Sequence, residues 1–136
     1  MQQWVFMPRR ISQESYDAVK DERRGARKVI FVSKDFQKTN VVDLNLESDD
    51  PLEGFSSFAF VPGTNDEHVL AIRSIEQDCA LDDDSLCKQR SFVVAIDIKN
   101  GIQLSPEVKY DENWKFEGLE FFDPYVKPPE GALATT

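Results

Sequence analysis

Gly54-Phe55-Ser56-Ser57-Phe58-Ala59-Phe60-Val61-Pro62-Gly63 is very nearly written twice in this chain. Sixty-one residues on comes Lys115-Phe116-Glu117-Gly118-Leu119-Glu120-Phe121-Phe122. Both copies read aromatic, Ser or Glu, small, large apolar, spacer, Phe. From Phe58 and from Leu119 the apolar residues return at every second position, the period of a strand with one buried face. A small residue and an oxygen-bearing one stand just before each apolar run. A strand recurring at this interval predicts repeated β units, stacked or arranged radially.

Working outward, Trp4-Val5-Phe6-Met7 reads as a short buried strand, stopped by Pro8, which has no N–H to give a ladder. Residues 12–26 are polar and poorly periodic, which predicts a long loop with room for one helical turn; such loops are often functional. Lys28-Val29-Ile30-Phe31-Val32-Ser33 is a continuous β-branched and aromatic run, hence a buried strand. Val42, Leu44 and Leu46 alternate with Asp43, Asn45 and Glu47 as a strand with one wet face. A turn at Pro62-Gly63-Thr64-Asn65-Asp66 leads into a strand over 68–73, and residues 91–98 form the clearest strand of all. Asn100-Gly101 predicts a hairpin onto residues 102–108 through the positive φ angles of a type I′ turn. The second copy of the opening pattern supplies the last strand.

The chain is therefore expected to be all-β, with about eight short strands. Two four-stranded antiparallel units of this kind would be two blades of a β-propeller, an incomplete ring with an open edge. Residues 1–122 form that body. Residues 123–136, with Pro124, Pro128 and Pro129, have too little to bury and are expected to be extended or disordered. The first apolar run begins at Trp4 with no leader pattern before it, so the chain reads as a piece of a longer protein.

At 136 residues and 40% apolar content there is enough for a real core. The net charge of −9 argues against nucleic acid or an anionic membrane as partner, and it permits a cation site. No apolar run approaches membrane-spanning length. His68 is the only histidine, which excludes a His-rich metal site within this chain. Neither a phosphate-cradling Walker pattern nor a Gly-rich dinucleotide motif is present. Cys79 and Cys87 flank an acidic loop: a local disulfide in a secreted protein, or two free thiols otherwise. The spacing leaves both readings open.

Few residues could carry chemistry. Arg9 and Arg10 end the first strand; as a solvated pair they do nothing, but a guanidinium also presents a planar fork to phosphate oxygens. Glu117 is either a rim carboxylate or a ligand for a hard cation such as calcium, which accepts six to eight oxygens and mixes carboxylates with backbone carbonyls. Ser56 would then hold the equivalent place through its main-chain carbonyl. Gly54, Ser57 and Gly118 would let the backbone approach closely. Asp82-Asp83-Asp84 lacks the Gly and closing Glu of an EF-hand and reads as a solvated loop. Asp21-Glu22-Arg23-Arg24-Gly25 reads as self-neutralising surface, placed where a substrate loop could lie.

Taken together, several of these motifs resemble one family, the calcium-activated nucleotidases or apyrases. They are Trp4-Val5-Phe6-Met7-Pro8-Arg9-Arg10 with Ser12-Gln13-Glu14, Asp21-Glu22-Arg23-Arg24-Gly25-Ala26, Gly54-Phe55-Ser56-Ser57-Phe58 with Phe60 and Pro62, and Lys115-Phe116-Glu117-Gly118-Leu119-Glu120-Phe121. They follow the family's order from Trp4 to Phe121, nearly the whole chain. The resemblance implies a five-bladed β-propeller with one calcium ion in its central tunnel, Ser56 (carbonyl) and Glu117 (carboxylate) among its ligands. It implies Arg9 as the catalytic arginine, with Arg10 binding substrate. The activity it implies is calcium-dependent hydrolysis of nucleoside di- and triphosphates such as UDP, GDP and ADP to the monophosphate and inorganic phosphate.

The resemblance further implies a secreted protein or one of the endoplasmic reticulum or Golgi lumen, and it leaves room for a homodimer. It also implies that about three blades upstream of Trp4 supply the other calcium ligands, so this chain alone is expected to bind calcium weakly or not at all. The Cys79–Cys87 stretch and the proline-rich tail depart from the vertebrate pattern. The competing reading is a non-catalytic β-propeller or β-sandwich binding module.

Overall fold

Strand β4 (Glu53–Phe60), the core of the opening stretch, carries a bulge. Its register against β5 (His68–Gln77) steps from Phe55↔Arg73 to Ser57↔Ile72, which leaves Ser56 as the extra residue. Because side chains alternate with period two, one extra residue flips the phase. Phe55, Phe58 and Phe60 can therefore all pack on one core despite their odd spacing. The computed structural model that shows this describes residues 2–79, 84–110 and 114–122.

The described residues are all-β apart from two short helical turns. In the first sheet β1 (Gln3–Phe6), β2 (Lys28–Ser33) and β3 (Thr39–Asp43) lie antiparallel in that order. In the second, β4 and β5 are followed by β6 (Lys88–Asp97), which runs antiparallel to β5 from His68↔Asp97 to Gln77↔Lys88. The outer edge of β6 takes β7 (Ile102–Gln103) near one end and β8 (Val108–Lys109) further along. The two are pieces of one edge strand. Residues 102–108 were expected to form it whole, but Pro106, which cannot donate to a ladder, lies between the pieces. Among the described residues the second sheet thus has five strands, four abreast, and the first has three, where units of four were expected, and neither sheet closes on itself.

Val29 and Phe31 of β2 meet Phe55, Val69, Ala71, Val94 and Ile96 of the second sheet, with Leu44, Leu46 and Ile98 from the connections. Burying side chains of this size stabilises by about 1.5–3 kcal/mol each. Leu44 and Leu46 keep the inward phase read from the sequence, but the ladder itself ends at Asp43. The chain then turns to the second sheet, where Asn45 N–H donates to Gly101 O at 2.8 Å.

Gly101 shows why that junction is tight: a Cβ there would lie 2.4 Å from Asp43 O, and its φ is +72°. Asn100 does not share the positive φ, so the expected type I′ turn is not formed. Instead Asp97 Oδ1 accepts from the Lys99 and Asn100 N–H groups at 3.0 Å, and Gly101 N–H closes onto Asp97 O at 2.9 Å.

Two further expectations meet different fates. The loop over 12–26 contains one helical turn, α1 (Ala18–Asp21), capped by Asp17 Oδ1 on Val19 and Lys20 N–H. The last strand, by contrast, is absent: residues 114–122 run without a ladder. One edge of β6 holds β5 and the other holds β7 and β8, so β6 itself offers this segment no row of backbone groups to pair with. It is pinned instead through Ser91, whose Oγ donates to Trp114 O at 2.8 Å and accepts from Phe116 N–H at 2.9 Å. Cys79 and Cys87 are disulfide-bonded across the β5–β6 connection. The proline-rich tail from residue 123 and Asp82 and Asp83 of the acidic loop lie outside the described residues.

Candidate functional site

Alternation along β5 sorts its residues. Val69, Ala71 and Arg73 face the first sheet, so Ser74 and Glu76 point to the other side. Arg9 reaches them there. Its backbone is fixed just past β1: Arg9 O accepts from Ala26 N–H at 3.0 Å, and Arg10 bridges Gly25. Gly54 completes the seat, since a Cβ on it would lie 2.4 Å from Arg9 O and 2.3 Å from Arg10 Nη1. The close approach inferred for Gly54 is thus present. Among the described residues no atom lies within 4 Å of such a position on Gly118.

The Arg9 guanidinium donates from Nη1 to Ser56 Oγ at 2.9 Å and Ser74 Oγ at 2.6 Å, and from Nη2 to Glu76 Oε2 at 3.2 Å. The two hydroxyls also hydrogen-bond each other. The bulge explains the reach: the extra residue, Ser56, leaves the regular register and re-aims its side chain. Glu76 Oε1 meets Lys115 Nζ at 2.6 Å, and Lys115 Nζ in turn meets Glu117 Oε1 at 2.9 Å. Arg9, Phe55, Ser56, Lys115 and Glu117 line one cleft of about 390 Å³.

Three of the residues singled out in the sequence therefore come together: Arg9, Ser56 and Glu117. Arg10 turns away. Its Nη1 donates to Arg9 O at 3.3 Å, and it lines a neighbouring cleft of about 400 Å³ with Arg9, Tyr16, Asp21, Glu22 and Glu76. Arg9 and Glu76 belong to the wall between the two clefts. Asp21 is tied up by Arg24 Nη1 at 2.7 Å, and Arg24 also pairs with Glu14, so that stretch is largely self-neutralised.

The electrostatics follow from crowding. Partial burial works against ionised Glu76, but the Lys115 hydrogen bond and the charge of Arg9 outweigh it and hold its carboxyl below the usual range. Burial likewise works against Lys115, and Glu76 and Glu117 together overcome it and raise its pKa. Burial, then the charge of Arg9, lowers that of Arg10.

A hard cation would find two oxygen sources in the first cleft, the Glu117 carboxylate and the main chain at the Ser56 bulge. Their chemistry fits one sector of a calcium shell and falls short of six to eight donors. Among the described residues no three His, Cys, Asp or Glu side chains converge on a metal position.

Sequence reasoning missed Ser74, Glu76 and Lys115. Lys115 stands inside the repeated motif, next to Phe116, and its proximity to Glu117 was the available signal. Ser74 and Glu76 share a phase on β5, opposite to Val69 and Ala71, but nothing local shows that Arg9 lands on them.

The chain matches the family described as Apyrase over residues 1–122. It is 33% identical over 131 residues to an apyrase of Phlebotomus duboscqi, covering 96% of this chain and 35% of that protein. It is 34% identical over 121 residues to soluble calcium-activated nucleotidase 1 of Rattus norvegicus, covering 89% of this chain and 27% of that one. An apyrase of Cimex lectularius is 31% identical over 118 residues, 87% of this chain and 29% of its own length. The chain thus spans between 27% and 35% of these relatives. No helix among the described residues is long and apolar enough to cross a membrane.

Proposed function

This chain belongs to the apyrase family, and from that premise we propose that it forms the arginine-bearing sector of a calcium-dependent nucleotidase. The reaction is hydrolysis of nucleoside di- and triphosphates such as UDP, GDP and ADP to the monophosphate and inorganic phosphate. One observation carries the reading: Arg9, Ser56 and Glu117, far apart in sequence, line a single cleft with the guanidinium fixed in its wall.

Arg9 offsets the charge on the phosphoryl oxygens as the bond to the leaving phosphate opens. Being held by Ser56, Ser74 and Glu76, it needs no reordering when substrate arrives. The Glu117 carboxylate and the Ser56 carbonyl would be this chain's share in holding the calcium. When bound, that ion supplies Lewis-acid polarisation of phosphoryl oxygens. The remaining oxygens come, on this reading, from the larger part of the relatives' length, which this chain does not span. The two sheets are then two blades of the family's propeller. The Cys79–Cys87 bond supports a secreted or luminal setting, where oxidising conditions preserve disulfides.

The test is phosphate release from UDP, GDP and ADP in calcium and then in chelator. It is run on this chain and on a polypeptide of family-typical length that carries it. Chelator-sensitive release from the longer protein is expected; its absence would sink the nucleotidase reading and leave a binding module. Arg9→Ala is expected to lower turnover by about 100-fold or more with little change in calcium affinity. Glu117→Ala is expected to weaken the calcium dependence instead. Unchanged turnover in Arg9→Ala would remove that residue from the chemistry.

A further inference from the structure

Glu76 is one carboxylate with a cation on each oxygen: Arg9 Nη2 on Oε2 at 3.2 Å and Lys115 Nζ on Oε1 at 2.6 Å. It stands behind them, while Arg9 and Lys115 both line the 390 Å³ cleft in front. The two cations come from opposite ends of the chain, and a shared carboxylate fixes their separation. Among the described residues neither is fully used: Arg9 spends three of its five N–H donors, leaving Nε–H and one on Nη2. Lys115 spends two of its three, on Glu76 and Glu117.

Burial distinguishes this arrangement from a surface ion pair: the Lys115 side chain is 21% exposed, enough to meet a ligand and too little to swing freely. A planar fork and a point charge side by side suit an anion that offers several oxygens to one wall, such as a phosphoryl group or a diphosphate.

The geometry points to Lys115 as a second phosphate-binding residue of the cleft, beside Arg9, with Glu76 as the positioning residue that spaces the two. The assignment deepens the nucleotidase reading and rests on it only for what the anion is attached to. Its own claim, that these two cations take a phosphate chain together, needs neither calcium nor turnover.

The experiment is calorimetric titration of the chain with inorganic pyrophosphate, in chelator and at low salt. It compares the wild type with Lys115→Gln, Lys115→Arg and Glu76→Gln, each checked by thermal unfolding. Orthophosphate and UDP serve as parallel probes, to separate a free phosphate from a nucleotide's.

Lys115→Gln is expected to bind pyrophosphate at least about tenfold more weakly with an unchanged melting temperature, and Lys115→Arg to keep most of the affinity. Equal binding by Lys115→Gln and wild type, or no binding by wild type, overturns the assignment. Glu76→Gln separates two roles by sign. Weaker binding shows that Glu76 spaces the cations; tighter binding shows that it only repels the anion, and overturns its positioning role. Lys115-dependent pyrophosphate binding without calcium-dependent nucleotide hydrolysis would remove the nucleotidase reading and keep this one.

Discussion

Two arginine–glutamate pairs hang from the same β-sheet, one on each face, and they have become different things. Arg73 and Glu53 are 0% and 2% exposed; Arg9 and Glu76 are 24% and 27%. Arg73 Nε donates to Glu53 Oε2 at 2.9 Å, while Nη1 and Nη2 donate to Ala26 O at 3.2 Å and Glu53 O at 3.0 Å. Its guanidinium lies 4.5 Å over the ring of Phe55. That arginine faces the core, a frame for two sheets and the loop between them. Arg9 keeps donors for a ligand.

The excess charge is also settled differently. Glu53 takes Arg73, and its half-buried neighbour Glu107 is pushed up to about 8 by burial, by its hydrogen bond with Glu53 and by the Glu53 charge. A proton makes up the balance. In the cleft, a second cationic side chain, Lys115, does so.

The harshest way to break this comparison is Arg73→Met. Removing one partner of a buried pair leaves Glu53 charged and unsolvated, which costs about 3–5 kcal/mol. Urea unfolding should show that loss; a loss below about 1 kcal/mol would mean the pair is not the frame described.

A milder probe is pH. The ordinary value for a Glu is 4.5, and folded Glu107 sits near 8. Between those values the folded chain holds a proton that the unfolded chain has released, so stability falls as pH rises from about 4.5 to 8 and is level above. Glu107 is only half-buried, and solvent screening reduces the effect to about 1–2 kcal/mol. Glu76 works the other way: its depressed pKa stabilises the fold above 4.5 and that contribution is lost as pH falls through the folded value. Glu107→Gln should flatten the slope between about pH 4.5 and 8 and leave the acid limb in place. A slope that persists there in the variant would assign the loss to another group.

How much of this was legible follows from the same alternation. The runs of β2, β5 and β6 stand in the sequence because apolar residues on a half-buried strand must recur every second residue. Arg73 was also in phase with Val69 and Ala71, a charged residue on the core face, and that phase was a usable signal for a buried ion pair. The bulge at Ser56 was not visible, since a slip of one residue shows only against the partner strand. The strand expected from the second copy of the motif is not formed although its periodicity was right: residues 114–122 make no ladder, and both edges of the neighbouring β6 are taken. Of the site, Arg9, Ser56 and Glu117 were found through the repeated motif and the family resemblance. Glu76 was hidden because its partner lies 67 residues away.

The smallest expected effect on stability is the sharpest test of the contrast. Arg9→Lys keeps the charge beside Glu76 but gives up the planar fork that serves Ser56, Ser74 and Glu76 at once. The two hydroxyls still have each other, and a quarter-exposed carboxylate still has Lys115 and water. Nothing is left buried and unpaired, so the stability change should stay within about 1 kcal/mol, the scale of an accessible ion pair. The same urea titration that registers Arg73→Met measures it. A loss of about 3 kcal/mol or more would put Arg9 in the frame with Arg73, and the division of one sheet into a structural face and a working face would no longer hold.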